Sequence, residues 1–228
     1  MRVGILGTGI VGQSIAGRLA ELDHEVVVGT RDPATTLARH EPHPVYGNPP
    51  FRVWHEQHPS VKLATFADAA AHGELLVNAT TGAASRDTLR QAGEPNLDGK
   101  LLLDIANPLD FSRGMPPSLL VANTDSLGER IQRAFPAAKV VKALNTMTAQ
   151  VMVDPGQLAG GDHHAFVCGD DHDAKAQAIE LLTGWFGWRN VLDLGDITAA
   201  RATEMVLPIW LRLLGALETP MFNLKVVT

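Results

Sequence analysis

The chain has 228 residues, 45% of them hydrophobic, with one cysteine and a formal net charge of −6 from 19 basic and 25 acidic side chains. That length and apolar share suit one large domain, or one domain with a small partner. The lone Cys168 excludes an internal disulfide, and the absence of any Lys/Arg cluster argues against a nucleic-acid partner.

No apolar run approaches the length that crosses a bilayer, so no membrane association is expected. Met1 leads straight into a strand, which leaves no room for a signal peptide and points to a reducing, cytoplasmic setting. Cys168 sits in the apolar run from Ala165, where a buried thiol is expected rather than a nucleophile.

Arg2 to Leu6 reads as a short apolar strand. Gly7-Thr8-Gly9-Ile10-Val11-Gly12 follows as a G-x-G-x-x-G turn, then a helix whose apolar face holds Ile10, Ile15, Ala16 and Leu19, then a strand from Glu25 to Gly29. In that order the glycines have separate tasks: Gly7 for the tight turn, Gly9 for close approach of a pyrophosphate, Gly12 for helix packing on the strand. The helix N-terminus adds free N–H groups for the anion. Dinucleotide binding is therefore expected, with Gly7, Thr8, Gly9, Ile10, Val11 and Gly12 at the cofactor.

The end of the second strand selects the nucleotide. An NAD site places an acidic residue there; this chain has Gly29-Thr30-Arg31-Asp32. Thr30 can hydrogen-bond a 2'-phosphate and Arg31 can pair with it bidentately, so NADP is expected. Asp32 before Pro33 is expected to cap a short helix.

Residues 40–59 hold five prolines and four histidines. The prolines disfavour helix before Phe51, and Phe51 to His58 fits one or two turns with Phe51 and Trp54 inward. His40, His43, His55 and His58 lack a tidy ligand spacing, so edge histidines are expected rather than a metal site. The excursion is long for a plain connection and is expected to border a site or a subunit contact.

Four further strands are expected near residues 61–64, 74–79, 101–105 and 139–144, the last three leaving through Ala79-Thr80-Thr81-Gly82, Asn107-Pro108 and Asn145-Thr146. Polar exits at the carboxyl ends of parallel strands border ligands. Together they predict a cleft facing the nicotinamide, with Ala79, Thr80, Asn107 and Asn145 on its wall. Ser126 and Glu129 have capping-box spacing. After Gly160 come a strand, a helix opening on Asp170 to Asp173, another strand, and a long apolar helix over residues 197–217 that Pro208 should kink. Its wide stripe suggests a homodimer contact. Residues 222–227 alternate like a terminal edge strand.

The chain resembles the deazaflavin-dependent (coenzyme F420-dependent) NADP reductase family. The likeness rests on Gly7 to Gly12, Thr30-Arg31, Asp104-Ile105-Ala106-Asn107-Pro108, Val141-Lys142-Ala143-Leu144-Asn145-Thr146 and the closing Phe222 to Val227. It implies an α/β fold: a Rossmann-type, mostly parallel sheet flanked by helices over residues 1–150, and a small C-terminal α/β domain over 151–228. It also implies a dimer and hydride transfer between NADP(H) and a deazaflavin, coenzyme F420, in the cleft between domains. By resemblance Thr8, Thr30 and Arg31 serve NADP, while Asn145 and Pro208 to Trp210 lie nearer the second ligand. Many relatives leave the fourth strand through a small apolar residue and a proline, where this chain has Ala79-Thr80-Thr81-Gly82.

Direct hydride transfer asks little acid–base chemistry of the protein. No catalytic side chain and no metal ligand is therefore expected. Two alternatives stay open: an NADPH-dependent reductase of another small molecule, with Lys142 or a nearby histidine as proton donor, and a non-catalytic NADP(H)-binding sensor or partner protein.

Overall fold

The structure, a computed structural model, describes residues 1–42 and 47–228; His43 and Pro44 of the proline-rich excursion lie outside the described residues. The chain alternates strand and helix: β1 (Arg2–Leu6), α1 (Ile10–Glu21), β2 (Glu25–Thr30), α2 (Pro33–Leu37), α3 (Phe51–Gln57), β3 (Lys62–Thr65), α4 (Phe66–His72), β4 (Leu75–Asn78), α5 (Gly82–Ala92), α6 (Glu94–Leu97) and β5 (Leu101–Asp104). A small hairpin follows, β6 (Leu109–Asp110) and β7 (Ser118–Leu119). Then come α7 (Leu127–Ala134), β8 (Lys139–Ala143), α8 (Ala149–Val153), β9 (Ala165–Cys168), α9 (His172–Phe186), β10 (Val191–Asp193), α10 (Ala200–Met205) and α11 (Leu207–Leu217).

Eight strands form one sheet in the order β10-β9-β8-β5-β4-β1-β2-β3. Every neighbouring pair is parallel except β8 with β9. This is the mostly parallel, Rossmann-type α/β arrangement expected. The strands from the C-terminal segment extend the same sheet rather than building a second one.

Both faces of the sheet are covered, so its central strands read as unbroken apolar runs such as Leu75-Leu76-Val77 and Leu101-Leu102-Leu103. Strand pleating divides them between two cores. Val77, Leu103 and Val141 pack with Ile15 and Leu19 of α1, Phe51 of α3 and Leu182 of α9. Leu76, Leu102 and Val140 pack on the opposite face with Phe66 of α4, Leu89 of α5, Ile131 of α7 and Ala200 of α10.

Two C-terminal expectations change. The stretch 197–217 is not one bent helix: a 3-10 turn over Ile197–Ala199 leads into α10, and α11 restarts at Leu207. Pro208 has no N–H to offer the Glu204 carbonyl, so the ladder stops there. Phe222 to Val227 forms no strand. The tail is held by isolated bonds, the His164 N–H to the Leu224 carbonyl at 3.0 Å and the Val226 N–H to His164 Nδ1 at 3.2 Å.

Candidate functional site

The carboxyl ends of β1, β2, β4 and β5 open into a cavity of about 930 Å³. At its centre is the turn after β1. Gly7 has φ +121°, and a Cβ there would lie 2.6 Å from the Ala79 carbonyl oxygen. A Cβ on Gly12 would lie 2.2 Å from the Gly7 oxygen. A Cβ on Gly9 meets nothing within 4 Å, so this backbone faces open space. Gly9 is the N-cap of α1, with no side-chain cap and no acidic residue in the first turn. The first N–H groups are thus left for an anion. Gln13 braces the turn by donating Nε2–H to the Thr8 carbonyl at 2.9 Å.

Arg31 lines the cavity beside β2, and so do Thr36 and Arg39. Thr30 does not. Its buried hydroxyl lies 2.8 Å from that of Thr36, which in turn donates to the Asp32 carbonyl. Of the two bonded threonines, Thr36 is the one that lines the cavity. Asp32 caps α2 by accepting from the Thr35 N–H at 3.0 Å and its hydroxyl at 2.8 Å. These two bonds hold its carboxyl below the ordinary range. The sequence signal for Thr36 and Arg39 was there: an Asp-Pro helix start places both within two turns of the strand tip.

On the other side of β1 the wall is Ala79, Thr80, Thr81 and Gly82 from the β4 exit, Ile105 to Asn107 from the β5 exit, and Leu109, Asp110, Phe111 and Leu120 of the hairpin. Gly82 lets α5 start against the β5 exit, since a Cβ there would sit 2.2 Å from the Asn107 oxygen. Asn145 does not reach the cavity. It is buried beneath Asn107, donating to Asn107 Oδ1 at 3.1 Å and accepting from Asn107 Nδ2 at 2.8 Å. Pro208 and Trp210 are likewise outside the lining, whose described residues run from Gly7 to Leu120. The hairpin takes the place expected of the C-terminal segment.

Behind this wall lies a charge cluster that the sequence did not reveal. Lys142 Nζ pairs with Asp104 at 3.0 Å and Glu204 at 2.9 Å, with all three side chains buried, and also donates to the Ala106 carbonyl. Burial opposes the ammonium, but the two carboxylates outweigh it and hold Lys142 above its ordinary pKa. A lysine so enclosed is no proton donor for the cleft. Glu204 also accepts from the Leu127 N–H at 2.8 Å and the Gly128 N–H at 3.0 Å, which caps α7 from a distant segment. Cys168 is buried, and burial pushes its thiol up to about 12. It is not a nucleophile at neutral pH.

Two of the excursion histidines, His55 and His58, bond to backbone. His55 Nε2 lies 2.9 Å from the Val61 carbonyl, and His58 Nδ1 lies 2.8 Å from that of Trp54, on whose ring it stacks. Among the described residues no group of three or more His, Cys, Asp or Glu is placed to hold a metal.

Residues 2–108, the segment that builds most of this cavity, match the family described as NADP oxidoreductase, coenzyme F420-dependent. The crystal structure of a candidate F420-dependent NADP reductase from Arthrobacter sp. FB24 is 60% identical, covers the whole of both chains and superposes with a TM-score of 0.95. The F420-dependent NADP reductase of Methanothermobacter marburgensis is 28% identical over 93% of this chain and 92% of its own. Metalloreductase STEAP3 of Rattus norvegicus is 28% identical over 92% of this chain, which spans only 38% of that protein's length. The full-length likeness to the Arthrobacter structure settles the lineage: the chain belongs to the family of coenzyme F420-dependent NADP oxidoreductases.

Proposed function

We propose that this NADP-dependent oxidoreductase moves a hydride directly between NADP(H) and a deazaflavin coenzyme of the F420 type. NADPH supplies a hydride from its nicotinamide ring, and with a proton from water this completes a two-electron reduction of the acceptor. The residues fit the dinucleotide. Gly9 leaves open backbone, the uncapped start of α1 offers N–H groups to a pyrophosphate, and Arg31, Arg39 and Thr36 gather where a 2'-phosphate would enter. Thr30 supports this end through Thr36. Ala79, Thr80 and Asn107 stand on the nicotinamide side, and Asn145 holds Asn107 in place.

One observation carries the acceptor reading. The wall beyond the β5 exit is apolar, with Ile105, Leu109, Phe111 and Leu120, and its ionisable member Asp110 accepts from the Ser112 N–H at 2.9 Å. The cavity's other acid–base side chains, His40 and Glu41, follow Arg39 in the chain, after β2. Lys142 is locked behind the wall. A carbonyl or imine substrate needs a proton delivered as the hydride arrives; a flat deazaflavin needs stacking and exclusion of water. The chain's part is then to orient two rings.

Residues 1–150 form the nucleotide half in this proposal. Residues 151–228 act through Glu204 beneath the cleft and through α11 as the contact of a cytoplasmic homodimer. NADPH deuterated stereospecifically at C4 tests the reaction. The label is expected at deazaflavin C5 with a primary isotope effect. Label lost to solvent would overturn direct transfer, and turnover of a different acceptor with none of the deazaflavin would overturn the substrate.

A further inference from the structure

Asn78, Asp104 and Lys142 are register partners on the adjacent parallel strands β4, β5 and β8. In-register positions of parallel strands project to the same face, so the three side chains form one row across the sheet. All are buried. The row ends at Thr80, in the exit of β4.

The charges fix the orientation of every polar group along it. Asp104, ion-paired to Lys142, offers only acceptors. Asn78 must therefore turn its amide nitrogen toward Asp104, and its Nδ2 donates to Asp104 Oδ1 at 2.8 Å. Asn78 Oδ1 then faces Thr80 with lone pairs alone. It accepts from the Thr80 N–H at 3.3 Å and from the Thr80 hydroxyl at 2.6 Å. A hydroxyl has one hydrogen, and that hydrogen is now used. Ser85 Oγ lies 2.8 Å from Thr80 Oγ1, accepts from Asn78 Nδ2 at 3.2 Å and has the Thr81 carbonyl at 3.2 Å as a second acceptor for its own hydrogen. With the Thr80 hydrogen committed to Asn78, Thr80 stands on the accepting side of the pair. Thr80 Oγ1 retains a lone pair, and Thr80 lines the cavity.

The position points to the part of the ligand involved. The glycine turn follows β1, with β2 and Arg31 on one side and β4 and β5 on the other. A dinucleotide with its 2'-phosphate at Arg31 lays its nicotinamide half over the β4 and β5 exits. We infer that Thr80 is a specificity-determining acceptor, taking a hydrogen bond from an N–H or O–H of the nicotinamide nucleoside with its polarity fixed by the buried Lys142–Asp104–Asn78 row. This rests on the NADP placement proposed above. A ligand group that is only an acceptor meets a lone pair there and is rejected.

Thr80→Val keeps the shape and removes the oxygen, and Thr80→Ser keeps the oxygen. Both are titrated with NADPH and with 2',5'-ADP, which carries the 2'-phosphate end but no nicotinamide. Thr80→Val is expected to weaken NADPH about tenfold and leave 2',5'-ADP unchanged, with Thr80→Ser close to wild type. Two analogues identify the donor. Acetylpyridine-NADPH lacks the carboxamide N–H, and thionicotinamide-NADPH keeps it. If that N–H is the donor, the acetylpyridine analogue binds wild type about tenfold more weakly than NADPH and ignores Thr80→Val, while the thio analogue behaves like NADPH. If a ribose hydroxyl is the donor, Thr80→Val weakens all three alike. The inference falls if Thr80→Val leaves NADPH unmoved, if it weakens 2',5'-ADP equally, or if Thr80→Ser fails to restore binding. A wild type that binds neither NADPH nor 2',5'-ADP defeats the NADP placement and the inference with it. Binding of 2',5'-ADP without any Thr80 effect defeats the inference alone.

Discussion

Glu204 of α10 and Lys142 of β8 meet 2.9 Å apart with both side chains buried, although 62 positions separate them in the chain. Asp104 stands on the other side of the ammonium at 3.0 Å. The cluster pins the C-terminal helix to the strand exits that wall the cleft. Its two ends are unequal. Lys142→Met leaves two buried carboxylates facing each other, and is expected to destabilise by roughly 3–5 kcal/mol. Glu204→Gln leaves a neutral Lys142–Asp104 pair and an oxygen for the α7 N–H groups, so its cost is expected to be smaller, about 1–3 kcal/mol. Urea unfolding of both variants checks the order, and the reverse order would contradict it.

Much of this architecture was legible because its signals are local. The glycine turn, the apolar strands and the Asp32 and Ser126 caps each follow from a few adjacent residues. The site was legible as far as backbone dictates it: Gly7 to Val11, Arg31, Thr80 and Asn107 all reach the cavity, while Gly12 is buried against Gly7 outside the lining. What was missed depends on side-chain direction across strands. Thr30 and Asn145 sit at strand ends as expected, yet Thr30 turns to Thr36 and Asn145 to Asn107. Spacing along one strand does not say which residue of the next strand or helix will claim a hydroxyl. The Lys142 cluster was invisible for the same reason, since its partners come from β5 and α10.

Arg31 is expected to discriminate between the nucleotides. It is exposed at the cavity end that Thr36 and Arg39 also line. Arg31→Ala should weaken NADPH by about 1.5–3 kcal/mol through loss of a charged hydrogen bond and leave NADH almost unchanged. Tryptophan fluorescence titration of both nucleotides decides it. An equal loss for the two would assign Arg31 to the fold.

Gly9 and Gly12 should fail in different ways. A Cβ on Gly12 would meet the Gly7 oxygen at 2.2 Å, and both partners are backbone in a tight turn. Gly12→Ala is expected to lower the melting temperature. A Cβ on Gly9 has no neighbour within 4 Å, so Gly9→Ala should melt like wild type and still lose NADPH affinity. Thermal unfolding beside NADPH titration separates the two, and a Gly12→Ala protein with wild-type melting would refute the packing argument.

Helix α11 buries Leu207 and leaves Ile209 57% and Leu217 52% exposed. These exposed apolar side chains support the dimer proposed above. Light scattering should give about twice the 24.4 kDa chain mass. Ile209→Asp should shift the equilibrium toward monomer. A wild-type protein that is monomeric at micromolar concentration would remove the claim.

Asp125 sets an acid limit on stability. It pairs with Arg130 at 2.8 Å and Arg133 at 2.9 Å and accepts from the Ser126 N–H at 3.0 Å. Burial alone would raise its pKa, but these hydrogen bonds outweigh burial and bring it from 3.8 to about 2. Glu129, bonded to Arg201, is shifted in the same direction. A carboxyl whose folded pKa lies below its unfolded value binds its proton more readily when unfolded. Its contribution is therefore complete above the unfolded pKa and disappears as pH falls through the folded one. For Asp125 the window runs from about pH 4 down to about pH 2 and is worth on the order of 2 kcal/mol. Asp125→Asn should therefore be less stable than wild type by about that amount at pH 7, and the gap should narrow steadily below pH 4. Urea unfolding at pH 7, 4 and 3 measures it. A gap that stays constant across those three values would show that Asp125 stabilises the α7 start through shape rather than charge.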